Sequence, residues 1–209
     1  MKPCIFTGSA VAIVTPFRAG SIDFNAFNRL VERQIQGGTD AIVVCGTTGE
    51  AATLNFDERM ALIERCVCIV DRRVPVIAGS GTNSTASSIA LSKAAQSAGV
   101  DALLTVTPYY NKASQNGLVR HFSAIADAVE IPLILYNVPS RTGVSCAAET
   151  YQKLAEHPNI AGVKEASDDF DLIQDTLNLC PPDFTVWSGN DGSTAAIMAL
   201  GGKGVISVA

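Results

Sequence analysis

The chain has 209 residues, of which 47% are hydrophobic and 17% are charged, and its formal net charge is −5. This length suits one large domain or two small ones, and the composition allows a substantial buried core. No Lys/Arg-rich run, membrane-length apolar run or cleavable leader is visible, so we expect no nucleic-acid partner, no membrane partner and a cytosolic location.

The six cysteines lie mostly in apolar segments, and no two of them form a C-x-x-C pair. Reduced cysteines that pack in a core explain this pattern better than a zinc site or a disulfide framework. The sequence therefore predicts neither a metal site nor disulfides.

Eight short apolar runs rich in β-branched residues alternate with helical segments along the chain. They comprise residues 8–17, 41–45, 74–78, 102–106, 131–136, 160–164, 184–187 and 204–209. Because the runs are apolar on both faces, we predict that they are buried parallel strands.

The segments between these runs carry helix signals. Residues 24–35 keep an apolar stripe after Asp23, and Asn55 with Glu58 resembles a capping box. Eight strands with intervening helices predict an α/β fold, a single (β/α)8 TIM barrel over residues 1–209, with its site at the carboxyl ends of the strands. A doubly wound open sheet is the alternative, but no G-x-G-x-x-G motif follows the first strand.

The last predicted strand coincides with the last residues of the sequence. A (β/α)8 barrel normally places a helix after its eighth strand. We therefore expect a barrel truncated after the eighth strand, with its C-terminal helices absent, or one whose missing cover comes from a partner.

Two threonines occupy the loop that follows the second predicted strand. Residues 46–50 read GTTGE, so two glycines free the backbone and the hydroxyls of Thr47 and Thr48 lie beside amide groups. Such a turn suits a carboxylate ligand. It is also compatible with an ordinary loop in which the threonines satisfy backbone groups.

Tyrosines and an arginine follow the fourth and fifth predicted strands. Tyr109 and Tyr110 could form a packing cluster or a proton relay. Arg141 lies on the loop after the fifth strand, where it could be a solvated surface charge or a bidentate clamp for a carboxylate.

Lys164 lies near the end of an otherwise apolar strand. Burial disfavours the charged ammonium and lowers its pKa, and a neutral amine can form a Schiff base with a ketone or an aldehyde. A lysine that reaches water or pairs with Glu165 is the structural alternative. Tyr136 ends the preceding strand, and strands of a right-handed βαβ unit are commonly neighbours, so phenol and amine could face one space.

Four motifs together resemble those of the dihydrodipicolinate synthase family. They are GTTGE at residues 46–50, YYN at 109–111, YNVPSRTG at 136–143 and GVKE at 162–165. The family belongs to the pyruvate-dependent, Schiff-base class I aldolases and lyases, which include N-acetylneuraminate lyase. The resemblance runs in register over residues 8–209. It implies a lyase that condenses pyruvate with L-aspartate 4-semialdehyde to 4-hydroxy-tetrahydrodipicolinate, the first committed step of the diaminopimelate route to lysine.

The resemblance also implies a role for each of four catalytic residues. Lys164 would form the imine with pyruvate, without any separate cofactor, and Tyr136 would relay protons. Thr47 would link Tyr136 to Tyr110. Members of the family borrow the second tyrosine from a neighbouring subunit, so Tyr110 would complete the partner's site in a homodimer or homotetramer.

The remaining implied residues bind substrate. Thr48, together with Thr47, would hold the pyruvate carboxylate, and the backbone of Gly189 and Ile206 would line the pyruvate pocket. Arg141 would hold the carboxylate of L-aspartate 4-semialdehyde, which favours a short acidic aldehyde over a long sugar aldehyde. Another pyruvate aldolase, such as N-acetylneuraminate lyase or a 2-keto-3-deoxy sugar acid aldolase, and an inactive truncated fragment remain the alternatives.

One departure from the family bears on regulation. Relatives that are inhibited by lysine carry a histidine at the position of Phe56 and a carboxylate at that of Ser87. These positions belong to a cleft that includes Ala52, Asn83 and Tyr109. Phe56 cannot donate a hydrogen bond and Ser87 offers no charge to an ammonium, so we expect weak or absent feedback by lysine.

Overall fold

The computed structural model describes residues 2 and 4–208, and eight parallel strands in it close into a barrel. The strands are β1 (Gly8–Ala12), β2 (Ala41–Val44), β3 (Val76–Gly79), β4 (Ala102–Val106), β5 (Leu133–Asn137), β6 (Ile160–Glu165), β7 (Thr185–Ser188) and β8 (Gly204–Ser207). Each strand pairs with its neighbours in chain order, and β8 pairs with β1. The predicted (β/α)8 barrel is confirmed.

Helices connect the strands on the outside of the barrel. They are α1 (Phe24–Gln36), α2 (Phe56–Val70), α3 (Thr85–Ser97), α4 (Gln115–Ala126), α5 (Pro139–Thr142), α6 (Ala148–Ala155), α7 (Phe170–Leu179) and α8 (Thr194–Leu200), with a 3-10 turn at Asp191–Ser193. Asp23 caps α1, and Asn55 and Glu58 form the predicted capping box of α2. None of the helices in the described part of the chain is long and apolar enough to cross a bilayer.

The first strand is shorter than the sequence pattern predicts. It ends at Ala12, and Phe17 belongs to a small antiparallel hairpin in which Phe17–Arg18 pairs with Ser21–Ile22. Val14 and Phe17 are apolar but about half exposed, so hydrophobicity alone misplaced the end of the strand. The last predicted strand ends at Ser207, and its predicted end, Ala209, lies outside the described residues.

Alternate side chains of the strands enter two separate cores. On β5, Ile134 and Tyr136 point into the barrel, whereas Leu133 and Leu135 pack against the helices. The closed interior is filled largely by small and medium side chains and by Trp187, which stacks on Phe6 with ring centroids 5.2 Å apart. Because the interior is packed in this way, the space for ligands lies at the carboxyl ends of the strands.

A glycine allows β6 and β7 to approach closely. A Cβ atom added to Gly162 would lie 2.0 Å from the carbonyl oxygen of Thr185 on the neighbouring strand. The two strands pair in register from this point, and Lys164 lies opposite Trp187. Gly162 therefore helps to hold β6 in the position that places Lys164.

Candidate active site

Lys164 and Tyr136 lie side by side at the carboxyl ends of β6 and β5. The two residues pair in register across the neighbouring strands, and the Lys164 Nζ atom lies 4.6 Å from the centroid of the Tyr136 ring. Both side chains are buried, with 4% of Lys164 and 8% of Tyr136 exposed. The amine and the phenol therefore face one space, as the strand order predicts.

Burial changes the acid–base properties of both groups. It lowers the pKa of Lys164 from 10.5 to about 8, while the Asp191 carboxylate acts to raise this pKa and the Arg141 guanidinium to lower it. Burial also raises the pKa of Tyr136, and Arg141 and a hydrogen bond with the Thr47 side chain oppose that change. At pH 7.5, a pKa of about 8 leaves roughly a quarter of the amines neutral, against roughly one in a thousand for an ordinary lysine.

A cavity of about 500 Å³ opens onto the amine at this end of the barrel. Six of the eight predicted site residues line it, and they are Thr47, Thr48, Tyr136, Arg141, Lys164 and Gly189. Asn190 and Asp191 complete the wall beyond β7. The cavity thus combines a nucleophile, a phenol, two hydroxyls and a guanidinium, which suits a small substrate with a carbonyl group and a carboxylate.

Gly189 matters here because it has no side chain. A Cβ atom added to it would lie 2.6 Å from the Ala166 Cβ atom and 3.2 Å from the Lys164 Cε atom. Its backbone N–H donates to the Glu165 carbonyl oxygen at 2.7 Å. Gly189 therefore leaves room for the lysine side chain and presents backbone to the cavity.

Two predicted site residues do not line this cavity. Ile206 is fully buried in the barrel interior, in register with Ala10 of β1. Tyr110 has a left-handed backbone conformation, with φ of 72°, and 89% of the residue is exposed. Such exposure is unusual for a tyrosine and places the Tyr110 side chain outside this chain's own cavity.

Arg141 occupies a helix rather than a loop. Pro139 begins the short helix α5, and Gly143, with φ of 74°, ends it in the left-handed conformation. The exposed Arg141 guanidinium lines the cavity and acts electrostatically on both Tyr136 and Lys164. Arg141 thus lies above the strand ends as predicted, but on a short helix instead of the predicted loop.

A second cavity, of about 270 Å³, adjoins the first. Thr47, Tyr136 and Arg141 line both, and the second extends towards Ala52 and Tyr109. Sequence reasoning missed Arg59, which is buried beside this second cavity. One Arg59 nitrogen donates to the Ala51 carbonyl oxygen, and the other terminal nitrogen has no partner in the described residues. The second cavity therefore has a cationic wall.

The sequence analysis considered Glu165 only as a partner of Lys164 and did not predict the group of polar residues behind the site, in which Glu165 bonds to Asn137 instead. Asn137 and Glu165, each one residue beyond Tyr136 and Lys164, are buried on the outer face of the barrel and joined by hydrogen bonds. Burial raises the pKa of the Glu165 carboxyl, and hydrogen bonds from Ser167, Tyr151 and Asn137 oppose that change. The alternation of side chains along the strands could have indicated the Asn137–Glu165 pair. It could not have indicated Tyr151, the hydrogen-bond partner that α6 contributes.

Comparison with protein families agrees with the geometry. The model of the dihydrodipicolinate synthetase family matches residues 5–209. The chain belongs to this family. In residues 2 and 4–208, no group of three or more His, Cys, Asp or Glu side chains could hold a metal ion, and the family's imine chemistry requires none.

Named relatives and solved structures of the family resemble the chain throughout. It is 55% identical over 204 residues to 4-hydroxy-tetrahydrodipicolinate synthase from Geobacter metallireducens, and 53% identical to that from Thermodesulfovibrio yellowstonii, covering 98% of this chain and 70% of each relative. A crystal structure of dihydrodipicolinate synthase from Bacillus anthracis superimposes with a TM-score of 0.96 at 47% identity, covering 100% of this chain and 71% of that one. The chain thus spans about seven tenths of the length of these proteins.

Proposed function

We propose that this protein condenses pyruvate with L-aspartate 4-semialdehyde to 4-hydroxy-tetrahydrodipicolinate. The observation that carries this proposal is the buried Lys164 amine against the Tyr136 phenol, in a family whose named relatives are 4-hydroxy-tetrahydrodipicolinate synthases. A lysine of lowered pKa at the mouth of a (β/α)8 barrel is suited to imine chemistry.

The first step is the formation of the imine. The neutral Lys164 amine attacks the keto carbon of pyruvate, and the resulting carbinolamine loses water to give a protonated imine. A proton of the attacking amine passes through Tyr136 to the alkoxide, and Tyr136 then donates the proton with which the hydroxyl leaves as water, so that it ends this step as a phenolate. The contact between amine and phenol places this acid–base group beside the reacting carbon.

The second step forms the carbon–carbon bond. The positive imine nitrogen withdraws electrons, so that the Tyr136 phenolate can take a proton from the former methyl group of pyruvate, and an enamine forms. The enamine carbon attacks the aldehyde carbon of L-aspartate 4-semialdehyde, and Tyr136 protonates the new alkoxide. The amino group of the second substrate then attacks the imine carbon, closes the ring and releases Lys164 as a free amine.

The two substrate carboxylates require different partners. Thr47 and Thr48 line the cavity beside Lys164, which supports a role for their hydroxyls in holding the pyruvate carboxylate, and Gly189 borders the same space. Ile206 is buried in the barrel interior and does not line the cavity, so its proposed backbone contact with pyruvate has no support from this geometry. Arg141, at the open rim, is suited to a bidentate contact with the carboxylate of the aldehyde substrate.

We also propose that the protein works as a homodimer or a homotetramer. Tyr110 is exposed on its own chain, as expected of a side chain that enters the site of a second copy. Its proposed link to Tyr136 runs through Thr47, whose side chain acts to lower the pKa of the Tyr136 phenol and lines the same cavity. The family also includes a solved structure described as a monomeric dihydrodipicolinate synthase variant, 46% identical to this chain, so the assembly must be measured directly.

The experiment that tests the proposed function traps the imine. Reduction with borohydride in the presence of pyruvate should add one reduced pyruvate to the intact mass, and peptide mapping should place it on Lys164. Lys164→Ala should abolish the adduct, whereas Lys203→Ala, which removes an exposed lysine, should retain it. An adduct on another residue, or none in the parent protein, would contradict the proposal and favour an inactive fragment.

A second measurement identifies the aldehyde. The pyruvate-loaded protein should consume L-aspartate 4-semialdehyde and ignore N-acetylmannosamine, because Arg141 offers a fixed cation to a short acidic aldehyde. Turnover of the sugar instead would identify another pyruvate aldolase of the same superfamily.

A further inference from the structure

The inward pair Tyr136 and Lys164 has an outward counterpart one residue further along the same strands. Asn137 and Glu165 pair in register, as Tyr136 and Lys164 do. Because side chains alternate along a strand, Asn137 and Glu165 point to the helix layer, whereas Tyr136 and Lys164 point into the barrel. All four residues are buried.

The Glu165 carboxylate is saturated by donors from three different elements. The Asn137 Nδ2 atom donates to both carboxylate oxygens, at 2.9 and 3.1 Å, and the Tyr151 hydroxyl donates to Oε2 at 2.9 Å. The backbone N–H of Ser167 donates to Oε1, also at 2.9 Å. Four hydrogen bonds from three donor groups converge on one buried carboxylate, which therefore links β5, β6 and α6.

Asn137 extends this link towards the substrate-binding arginine. Its Oδ1 atom accepts from the Cys146 N–H at 3.2 Å, and its Nδ2 atom also donates to the Ser145 hydroxyl at 3.2 Å. Residues 144–147 connect α5, which carries Arg141, to α6. The same buried side chain therefore holds the end of β5 and the segment that follows the arginine helix.

The pairing of β5 with β6 is regular only towards the carboxyl ends of the two strands. The register between β5 and β6 shifts at Leu133 and Ile134, so the ladder is irregular at its start. At the other end, the Ala166 N–H donates to the Asn137 carbonyl oxygen at 2.9 Å, and the ladder stops there. The alignment of the amine with the phenol thus depends on the strand ends, where the Asn137–Glu165 bonds cross.

We propose that Glu165 and Asn137 are positioning residues that hold Lys164 and Tyr136 in reacting alignment from the opposite face of the sheet. This inference rests on the proposed imine chemistry. Neither residue touches the cavity, and neither is suited to exchange a proton with substrate, because the strand separates both from it. Their effect on the reaction passes through the backbone of β5 and β6.

Exchange of the charged partner tests the proposal. Glu165→Gln replaces one carboxylate oxygen by an NH2 group. Because the Asn137 Nδ2 atom donates to both oxygens, two hydrogen-bond donors then face each other. Asn137→Asp places two acidic groups together. We expect each single variant to slow imine trapping and lower kcat by about 10- to 100-fold, since displacement of reacting groups by about 1 Å has effects of this size.

The double variant Asn137→Asp with Glu165→Gln is the rescue. It keeps one carboxylate and one amide but transposes them, so that a donor again faces an acceptor. We expect most of the lost kcat to return, with the KM for pyruvate changed less than kcat throughout. Failure of the double variant to recover activity while it regains the parent's thermal stability would overturn the proposal.

A matched control separates positioning from stability. Ser92→Ala removes a buried hydrogen bond of 2.9 Å between the Ser92 and Ser80 hydroxyls, away from β5 and β6. It should lower the melting temperature yet leave the trapping rate of the folded protein unchanged. If Glu165→Gln behaves in the same way, the pair is only structural. If the parent protein itself forms no adduct, the proposed function fails instead.

Discussion

The inner and outer faces of β6 contrast sharply, although they belong to the same six residues. The inner face carries Lys164, a buried cation whose pKa is lowered to about 8 by burial. The outer face carries Val163, which packs in the helix-facing core, and Glu165, which four hydrogen bonds satisfy. The outer face stabilises the strand by packing and hydrogen bonding. On the inner face, burial of the Lys164 charge is destabilising, but it lowers the pKa of the amine and so makes the amine more reactive.

This contrast shows how a well-packed outer face can keep an unfavourably buried charge, that of Lys164, on the inner face. Burying Lys164 is unfavourable while it is charged, and its neighbours only partly compensate, because Asp191 attracts the ammonium while Arg141 repels it. The apolar outer core and the bonds of Glu165 supply the stability that keeps the amine in place. Substitutions of inward and of outward residues on the same strands should therefore have different effects.

The largest effect on rate should come from the inward residue of β5. Tyr136→Phe removes the acid–base hydroxyl but keeps the ring against Lys164, and we expect kcat to fall by about 10²- to 10³-fold. Leu135→Ala, on the outward face, should lower stability by about 2–4 kcal/mol with little change in kcat of the folded protein. Steady-state kinetics and urea unfolding measure the two effects. Equal losses of kcat would contradict the division between the faces.

Adjacent residues of β6 should change stability in opposite directions. Lys164→Met removes a group whose folded pKa is below its unfolded value, so the cost of burying it is fully present below about pH 8 and vanishes above 10.5. We expect a gain of about 3 kcal/mol at pH 7 that shrinks as the pH rises. Val163→Ala should lose about 2 kcal/mol at either pH. Unfolding curves at pH 7 and pH 10.5 provide the measurement, and a Lys164→Met gain that does not change with pH would be contrary evidence.

Arg141 should matter for one substrate only. Arg141→Ala should lower kcat/KM for L-aspartate 4-semialdehyde by about 10- to 100-fold, the value of a charge-assisted bond. Arg141→Lys should be intermediate, because it keeps the charge but loses the planar fork. The rate of borohydride trapping with pyruvate alone is the control, and a comparable fall in that rate would assign Arg141 to the first substrate as well.

The pH dependence of trapping should follow the amine. With a pKa of about 8, the neutral fraction of Lys164 rises about 25-fold between pH 6.5 and 8.5, and the trapping rate should rise with it. Asp191→Asn removes a charge that raises this pKa, so the rise should move to lower pH. Asp171→Asn, at an exposed position on α7, is the matched control. A shift to higher pH in the Asp191 variant would contradict the assignment.

The smallest effect concerns regulation by lysine. Phe56 is half exposed and offers no hydrogen bond, and the neighbouring cavity, which Ala52 and Tyr109 line, also contains the buried Arg59 cation. A cationic wall disfavours an ammonium ligand. We expect no inhibition of turnover by lysine at sub-millimolar concentration, and inhibition in that range would show this prediction to be wrong.

The sequence predicts the barrel and the inward residues well because both follow from local patterns. Buried runs alternating with helices indicate the fold, and Lys164 is conspicuous because it interrupts such a run. Tyr151 and Arg59 could not be placed, since their contacts depend on how α6 and α2 pack against the barrel. The error at Phe17 has the same origin, because the exposure of an apolar side chain is decided by tertiary structure.

The in-register pairing of Tyr136 with Lys164 also constrains changes in chain length. Deleting or inserting a single residue within β6 would reverse which side chains face inward, placing the Glu165 carboxylate in the reaction chamber and the amine among the helices. A substitution changes one side chain, whereas such a shift moves every later side chain of the strand to the opposite face. Descendants of this protein that still act on pyruvate must therefore keep the residue count of this segment.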